Sequence, residues 1–218
     1  MKVRGILGRK IGMTQIFDDR GEVVPVTVVE AGPCTVMQVK SEAGRDGYAA
    51  VKLGFDAIEE RKSSKPELGR LQKAGLKPMR FVREVRIPEA ELAEYSVGQQ
   101  ITADLFESGD FVNVTGNSKG RGFTGVVKRH GFKGSKRTHG VHEYRRHGGG
   151  PSCNTYPGRI IPGKRMCGQH GNTAFTIENL AVVGVDKEKN LLLIRGAVPG
   201  HRNTFLFIRN AKKKWKRA

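Results

Sequence analysis

Basic residues alternate with glycines in the middle of the chain, in a pattern that suits phosphate binding. Ser118-Lys119-Gly120-Arg121-Gly122-Phe123 directly follows a strand-like run. Glycines let the backbone approach a phosphate closely, Lys and Arg neutralise it, and the aromatic ring can pack or stack. The run lacks the Gly-x-x-x-x-Gly-Lys-Ser/Thr pattern of a nucleotide-hydrolysing phosphate loop. A Gly-rich hairpin with exposed charges is the alternative interpretation.

Three further basic clusters follow, at residues 128–137, 145–147 and 164–165. Arg binds phosphates bidentately and stacks on bases. Interleaved glycine, basic and aromatic residues favour folded RNA, which is read through its shape, backbone and unstacked bases. The glycines break any regular recognition helix for a DNA major groove. The candidate RNA contacts are Ser118, Lys119, Arg121, Lys128, Arg129, His130, Lys133, Lys136, Arg137, His139, His142, Arg145, Arg146, His147, Asn154, Arg159, Lys164, Arg165 and His170.

A basic tail at residues 211–218 carries the only Trp of the chain. Lys212, Lys213 and Lys214 are predicted to contact an RNA backbone, with Trp215 stacked or packed. The tail is too short and too polar for a membrane-lying helix. A frayed tail without a ligand is the alternative.

The histidines and cysteines of the same segment could in principle hold a metal. His139-x2-His142, His147, Cys153 and Cys167-x2-His170 could supply four tetrahedral ligands. However, no Cys-x2-Cys pair is present, and the surrounding positive charge opposes a dication. We therefore expect no metal and no other cofactor, with the histidines hydrogen-bonded to phosphate or backbone.

An RNA-processing enzyme is the competing functional class. Metal-dependent phosphoryl chemistry needs clustered carboxylates, and this region offers only Glu143, with Asp110 just outside it. Metal-independent cleavage by His and Lys remains formally open. The sequence favours a binding protein without catalytic residues.

The net charge of +18 is unevenly distributed along the 218 residues. Residues 1–112 carry 17 basic and 17 acidic residues, whereas residues 113–175 carry 12 basic residues and one acid. That middle region also holds 14 of the 29 glycines and only 15 apolar residues. It cannot bury enough surface to offset its ordering entropy, so it is either disordered or ordered against a partner. A flexible linker is the alternative, although the varied spacing and placed aromatics argue against one.

The flanking sequence reads mainly as short strands with turn residues between them, which predicts a mainly β fold with a small β-barrel. Pro25 suggests an edge position or bulge. Helical signals are few: 88–94 begins with Pro and acids, 123–129 could form a short helix, and 63–77 is interrupted by glycines. The predicted strands are 23–30, 34–39, 48–55, 81–87, 111–115, 176–185, 191–195 and 204–209.

Other classes are disfavoured by simple counts. No apolar run approaches the roughly 18–20 residues that span a bilayer, and the start of the chain lacks the apolar region of a secretory signal. Three widely spaced cysteines argue against a disulfide framework and for a reducing cytosol. We expect no membrane and no small-molecule substrate as partner.

Several long runs resemble the bacterial form of the third protein of the large ribosomal subunit. The resemblance covers nearly the whole chain and is carried by ordered matches at residues 5–14, 26–34, 114–123, 128–132, 157–159, 163–166, 179–180 and 196–200. So many ordered matches are highly specific to this family.

The resemblance implies a barrel like that of translation factors, formed by residues 1–116 and 173–210 with a helical or irregular subregion about 57–95. It also implies a long loop, 117–172, inserted in the barrel and followed by the tail at 211–218. Such a loop reaches through large-subunit ribosomal RNA towards the peptidyl transferase centre, and the family binds that RNA early in assembly. The implied partners are this RNA and neighbouring large-subunit proteins, in the cytoplasmic ribosome.

The implied tip of the loop, residues 148–155, departs from the family pattern. The family commonly shows Gly-Ser-(Ile/Val)-Gly before Thr-Pro-Gly, whereas this chain has Gly148-Gly149-Gly150-Pro151-Ser152-Cys153-Asn154-Thr155. It has no Gln there, so the methylated Gln of some members does not carry over. Met166-Cys167-Gly168-Gln169-His170-Gly171 also differs from the usual Met-Ala-Gly-His-Met-Gly.

Overall fold

The computed structural model describes residues 5–152 and 155–211. The chain divides into two compact units: the first runs up to Asn117 and resumes at Ala174, and the second is Ser118–Thr173. We call the first the barrel unit and the second the basic segment.

The barrel unit contains a closed six-stranded barrel in which every pairing is antiparallel. Around the barrel the order is β1-β12-β7-β10-β11-β2. The strands are β1 (Gly5–Phe17), β2 (Val23–Ala31), β7 (Phe111–Asn117), β10 (Ala174–Asp186), β11 (Leu191–Arg195) and β12 (Phe205–Asn210).

The barrel interior is filled by alternate residues of its strands, as the period of a half-buried strand requires. Val112 and Val114 of β7 are fully buried, and so are Leu192 with Ile194 and Leu206 with Ile208. The residues between them are exposed or half-buried. The predicted mainly β fold with a small barrel and few helices is therefore confirmed.

A second sheet of four strands completes the barrel unit, in the order β5-β4-β3-β6. Its strands are β3 (Cys34–Lys40), β4 (Ala50–Ala57), β5 (Met79–Arg86) and β6 (Gln100–Ile101). Phe81 of β5 stacks on Phe205 of β12 at a centroid distance of 5.1 Å. This contact joins the second sheet to the outer face of the barrel.

Helices are short and few among the described residues. Helix α1 (Lys65–Lys73) contains Gly69 and ends before Gly75, and α2 (Val126–His130) lies in the basic segment. The predicted helix at 88–94 is a 3₁₀ helix, Glu89–Glu94. Other 3₁₀ turns are Glu60–Lys62, Ala103–Leu105 and His142–Arg146. No helix in the described ranges is long and apolar enough to cross a membrane.

Strand β1 is the main element that the sequence did not reveal. Glycines at 5, 8 and 12 interrupt its apolar pattern, yet Gly8 lies so close to the Glu30 carbonyl that an added Cβ would overlap it. Pro25 lies one residue beyond the β11 pairing, which begins at Val26. Pro25 therefore has a strand partner on one side only, Gln15 of β1, although β2 as a whole lies between β1 and β11.

Candidate nucleic-acid interface

The basic segment contains most of the residues predicted to bind RNA. Two short strands, β8 (Phe123–Thr124) and β9 (Gly168–Gln169), pair antiparallel within it. Eighteen of the predicted contacts lie among its described residues. Asn154 and the tail residues Lys212, Lys213, Lys214 and Trp215 lie outside the described residues.

The root of the segment is a narrow antiparallel ribbon. The Ser118 N–H donates to the Thr173 carbonyl at 2.9 Å, and the Arg121 N–H donates to the His170 carbonyl at 2.8 Å. The His170 N–H donates back to Gly122 at 3.0 Å. The ribbon brings Arg121 and His170 together, with 3.4 Å between the guanidinium and the ring nitrogen. Two residues that are predicted to contact RNA, 49 residues apart in the sequence, therefore lie side by side.

Helix α2 joins the outgoing and returning stretches of the basic segment through side-chain hydrogen bonds. It ends at Gly131, whose left-handed φ of 74° suits glycine at this capping position. Arg129 Nη1 and His130 Nε2 both donate to the Met166 carbonyl, at 2.8 and 2.9 Å. These two predicted contacts have a partner within the protein, whereas Lys128 in the same turn is exposed.

A second close approach joins the clusters at 128–137 and 145–147. The Ser135 N–H donates to the Arg145 carbonyl at 3.2 Å. Gly134, with φ of 68°, leaves no room for a Cβ beside the same oxygen. The Tyr144 and His147 rings lie 4.8 Å apart. Clusters that are separate in the sequence therefore form one cationic neighbourhood.

The cations of the segment are not neutralised by the protein. Ser118–Thr173 carries twelve Lys and Arg residues against Glu143 alone. None of the twelve forms a salt bridge with any described residue. All except Arg129, which is half-buried, are exposed. Such a surface attracts a polyanion through its summed field.

The segment has no apolar core of its own. Among its described residues, Thr124 alone is buried. Phe123 is 76% exposed and Tyr156 is 89% exposed, with Tyr144 at 52%. From the sequence, Phe123 is expected to pack or stack, whereas Tyr144 and Tyr156 are not among the predicted contacts. Their exposure makes all three rings candidates for stacking. Aromatic faces stack on nucleobases of any sequence.

The histidines and cysteines do not converge. No group of three or more His, Cys, Asp or Glu side chains in the described part of the chain could hold a metal ion. Cys167 is exposed and Cys153 lies outside the described residues. Cys34 is buried in the barrel unit, where desolvation raises the pKa of its thiol to about 12 despite a hydrogen bond to the Leu7 carbonyl. Burial keeps the thiol protonated and unreactive, so Cys34 acts as a core residue.

A small β-barrel that carries a segment of twelve cations, none of them paired with a described carboxylate, is the architecture of a protein with a surface that attracts polyanions. A model of the family described as ribosomal protein L3 matches residues 81–190. The chain belongs to the ribosomal protein L3 family, and it is therefore a structural constituent of the ribosome rather than a member of an enzyme family.

Similar proteins match along almost the whole chain. The large ribosomal subunit protein uL3 of Fusobacterium nucleatum is 53% identical over 96% of this chain and 98% of its own length. Proteins of the same name from Rhodococcus erythropolis and Corynebacterium urealyticum are 51% and 50% identical. The first covers 100% of this chain and 98% of its own length, the second 98% and 96%.

Proposed function

We propose that the basic segment binds large-subunit ribosomal RNA, supports early assembly of the subunit and extends towards the peptidyl transferase centre. The observation that carries the proposal is the set of twelve cations that no described carboxylate neutralises. Membership in a family of ribosomal constituents makes ribosomal RNA the nearest polyanion. The relatives are named as large-subunit proteins, which favours the RNA of that subunit.

The contacts follow from the geometry of the segment. Close glycine approaches keep the root ribbon slim, which favours passage between RNA helices. Exposed arginines such as Arg145 and Arg146 offer guanidinium forks that match phosphate geometry. Phe123 and Tyr156 offer faces for unpaired bases. The protein's part is to hold RNA strands together, because phosphates brought close repel one another unless cations lie between them.

Support for assembly rests on the division of charge between the two units. The barrel unit has its own buried core, so it folds without RNA. The segment lacks one and gains order from its ligand, as charged segments do when they fold on binding. Reach towards the peptidyl transferase centre is supported by the family resemblance of the chain as a whole, which implies a loop inserted in the barrel, although the tip at 148–155 itself departs from the family pattern.

Salt dependence of RNA affinity tests the binding proposal. Each phosphate contact releases counterions, so the logarithm of affinity falls with the logarithm of salt by about 0.7 to 0.9 per contact. Replacing Arg145 and Arg146 by Gln removes two contacts, and the slope measured with a large-subunit RNA fragment is expected to fall by about 1.4 to 1.8.

The matched control replaces Arg45 and Arg70 by Gln, since both are exposed arginines of the barrel unit. It removes the same formal charge and is expected to leave the slope unchanged. Equal slopes for the two double variants, or a slope near zero for the unsubstituted chain, would contradict binding by the segment.

A further inference from the structure

The hairpin formed by β1 and β2 extends beyond the barrel wall. Strand β12 pairs with β1 only over Gly5–Arg9, and β11 pairs with β2 only from Val26. Beyond those points, Gln15, Ile16 and Phe17 pair only across the hairpin, with Pro25, Val24 and Val23. A two-stranded hairpin is marginally stable by itself in water. The projecting end therefore needs support from elsewhere.

Part of that support comes from the 196–203 loop at the base of the hairpin. The Asn203 N–H donates to the Lys10 carbonyl at 2.7 Å, and the Gly196 N–H donates to the Pro25 carbonyl at 2.8 Å. The buried Lys10 ammonium donates to the carbonyls of Val198 and Gly200, at 3.0 and 3.2 Å. The base is thus held by the barrel unit itself.

The turn at the far end is closed by its own hydrogen bonds. Asp18 Oδ1 accepts from the N–H groups of Arg20 and Glu22, at 2.9 and 3.0 Å. The Asp18 N–H donates to the Glu22 carbonyl at 3.0 Å. The hairpin therefore keeps a defined shape to its end.

One face of the projecting hairpin is mainly apolar and open to solvent, with Gln15, the cross-strand partner of Pro25, as its polar residue. Met13 is 52% exposed, Phe17 69% and Val23 53%, and Phe17 and Val23 are cross-strand partners. On the opposite face, Val24 is buried and its partner Ile16 is half-buried. We call the exposed set, which includes Ile11 and Pro25, the hairpin face. Large exposed apolar side chains grouped on one face are typical of protein interaction sites.

The charge beside the hairpin face identifies the class of partner. The turn carries Asp18, Asp19 and Glu22 against Arg20, a local net charge of −2 in a chain of +18. Two positive charges lie at the base: Arg202, whose Nε donates to the Ile11 carbonyl at 3.0 Å, and Arg195, which pairs with Val26. The acidic excess therefore belongs to the turn. An acidic turn repels phosphate and attracts a basic surface, so this end of the molecule disfavours RNA and favours a basic protein.

We propose that the hairpin face is a docking surface for another protein of the ribosome, one that presents a basic rim around an apolar patch. The proposal rests on family membership and on the hairpin geometry. It does not depend on RNA binding by the basic segment, because the two surfaces lie in different units.

A photo-crosslinking amino acid tests the identity of the occupant. Benzoylphenylalanine replaces Phe17 in one full-length chain and Tyr156 in another, and each chain is assembled into large subunits before photolysis. We expect position 17 to attach to a basic protein, identified by mass spectrometry, and position 156 to attach to RNA. An RNA adduct at position 17, or no adduct there, overturns the docking proposal. Absence of RNA at position 156 counts against the proposed function instead.

A charge-reversal pair tests the acidic turn. Asp19→Lys with Glu22→Lys is expected to lower the protein crosslink yield from position 17 by about fivefold or more, through loss of attraction at the rim. Glu42→Lys with Glu89→Lys makes the same charge change at exposed positions of the barrel unit and is expected to leave the yield unchanged. Equal yields from both pairs would overturn the electrostatic basis of the proposal. RNA affinity is expected to be the same for both pairs.

Discussion

Gly171 and Gly134 each allow two stretches of backbone to approach closely, a role that the count of glycines in the sequence did not reveal. Both adopt positive φ values, 71° and 68°. An added Cβ at Gly171 would overlap the Lys119 carbonyl oxygen, and one at Gly134 would crowd the Arg145 carbonyl oxygen. A methyl group at either place would push apart two stretches of backbone. These glycines permit close approach of backbone to backbone, whereas Gly125 has open space around it and a negative φ.

Gly171→Ala is expected to open the root ribbon. Left-handed backbone costs a non-glycine residue about 1 kcal/mol or more, and the overlap with backbone adds to that cost. Limited proteolysis of the free protein should show faster cleavage near residues 119–122 and 170–172, and RNA affinity should fall. The free energy of unfolding of the barrel unit should not change.

Gly125→Ala is the matched control for that substitution. Gly125 has φ of −71°, and an added Cβ there meets nothing within 4 Å. Its cleavage pattern should equal that of the unsubstituted chain. Equal cleavage of the Gly171 variant would contradict the close-approach role.

At the scale of elements, a polar cluster links β3, β5 and the loop that precedes β4 in the second sheet. Lys40 Nζ donates to Tyr48 at 3.0 Å and lies 2.9 Å from Glu84, and the Tyr48 hydroxyl donates to Glu84 at 2.7 Å. Burial opposes ionisation of Glu84, but the hydrogen bonds from Tyr48 and Lys40 outweigh it and lower its pKa. The hydrogen bond to Tyr48, followed by that to Glu84, raises the pKa of Lys40.

The lowered pKa of Glu84 predicts an acid-sensitive contribution to stability. Its folded-state pKa lies below the unfolded value of about 4.3, so the contribution is complete above that value and is lost as pH falls through the folded pKa. Glu84→Gln should reduce the free energy of unfolding at pH 7 by up to about 1 kcal/mol. Urea titrations should show that difference shrinking below about pH 4.

Glu67→Gln provides the comparison, because Glu67 is exposed and accepts only hydroxyl hydrogen bonds from neighbouring serines. Its difference from the unsubstituted chain should stay small at every pH. A Glu84 difference that persists unchanged at pH 3 would show that the cluster contributes through packing rather than through charge.

At the scale of the whole molecule, the residues that form the core and the residues proposed to bind RNA lie in different units. The described buried apolar residues belong to the barrel unit, and the uncompensated charge belongs to the basic segment. The barrel unit has a buried core of its own, and under the proposed function the segment stays open to RNA.

Amide exchange of the free protein measures this separation. Residues of about 117–172 should exchange quickly, because few of them have buried contacts, and strands β7, β11 and β12 should be protected. Adding a large-subunit RNA fragment should slow exchange in the segment without changing the barrel. Full protection of the segment before RNA is added would contradict the proposal that RNA orders it.

Local pattern was enough to predict much of this molecule. Alternating apolar residues located most strands of the barrel unit, since an inward side chain recurs at every second position. The counts of Lys, Arg and acid located the basic segment, because charge is a property of composition. Family-specific runs such as residues 114–123 identified the family.

Other features depended on residues that are distant in the sequence. Strand β1 escaped prediction because Gly5, Gly8 and Gly12 interrupt its apolar pattern, and the fit of Gly8 against the Glu30 carbonyl of β2 depends on the tertiary fold. Arg121 contacts His170, and α2 is hydrogen-bonded to Met166. Local pattern could not predict these contacts, because the partners lie 36 to 49 residues apart in the sequence. The hairpin face could not be predicted either, because Met13, Phe17 and Val23 are apolar residues of the kind that fill a core. They are exposed because the pairings of β1 with β12 and of β2 with β11 end before reaching them. Composition and hydrophobic period can be read from a short stretch of sequence. The solvent exposure of the hairpin residues depends instead on where the neighbouring strands end in the folded barrel.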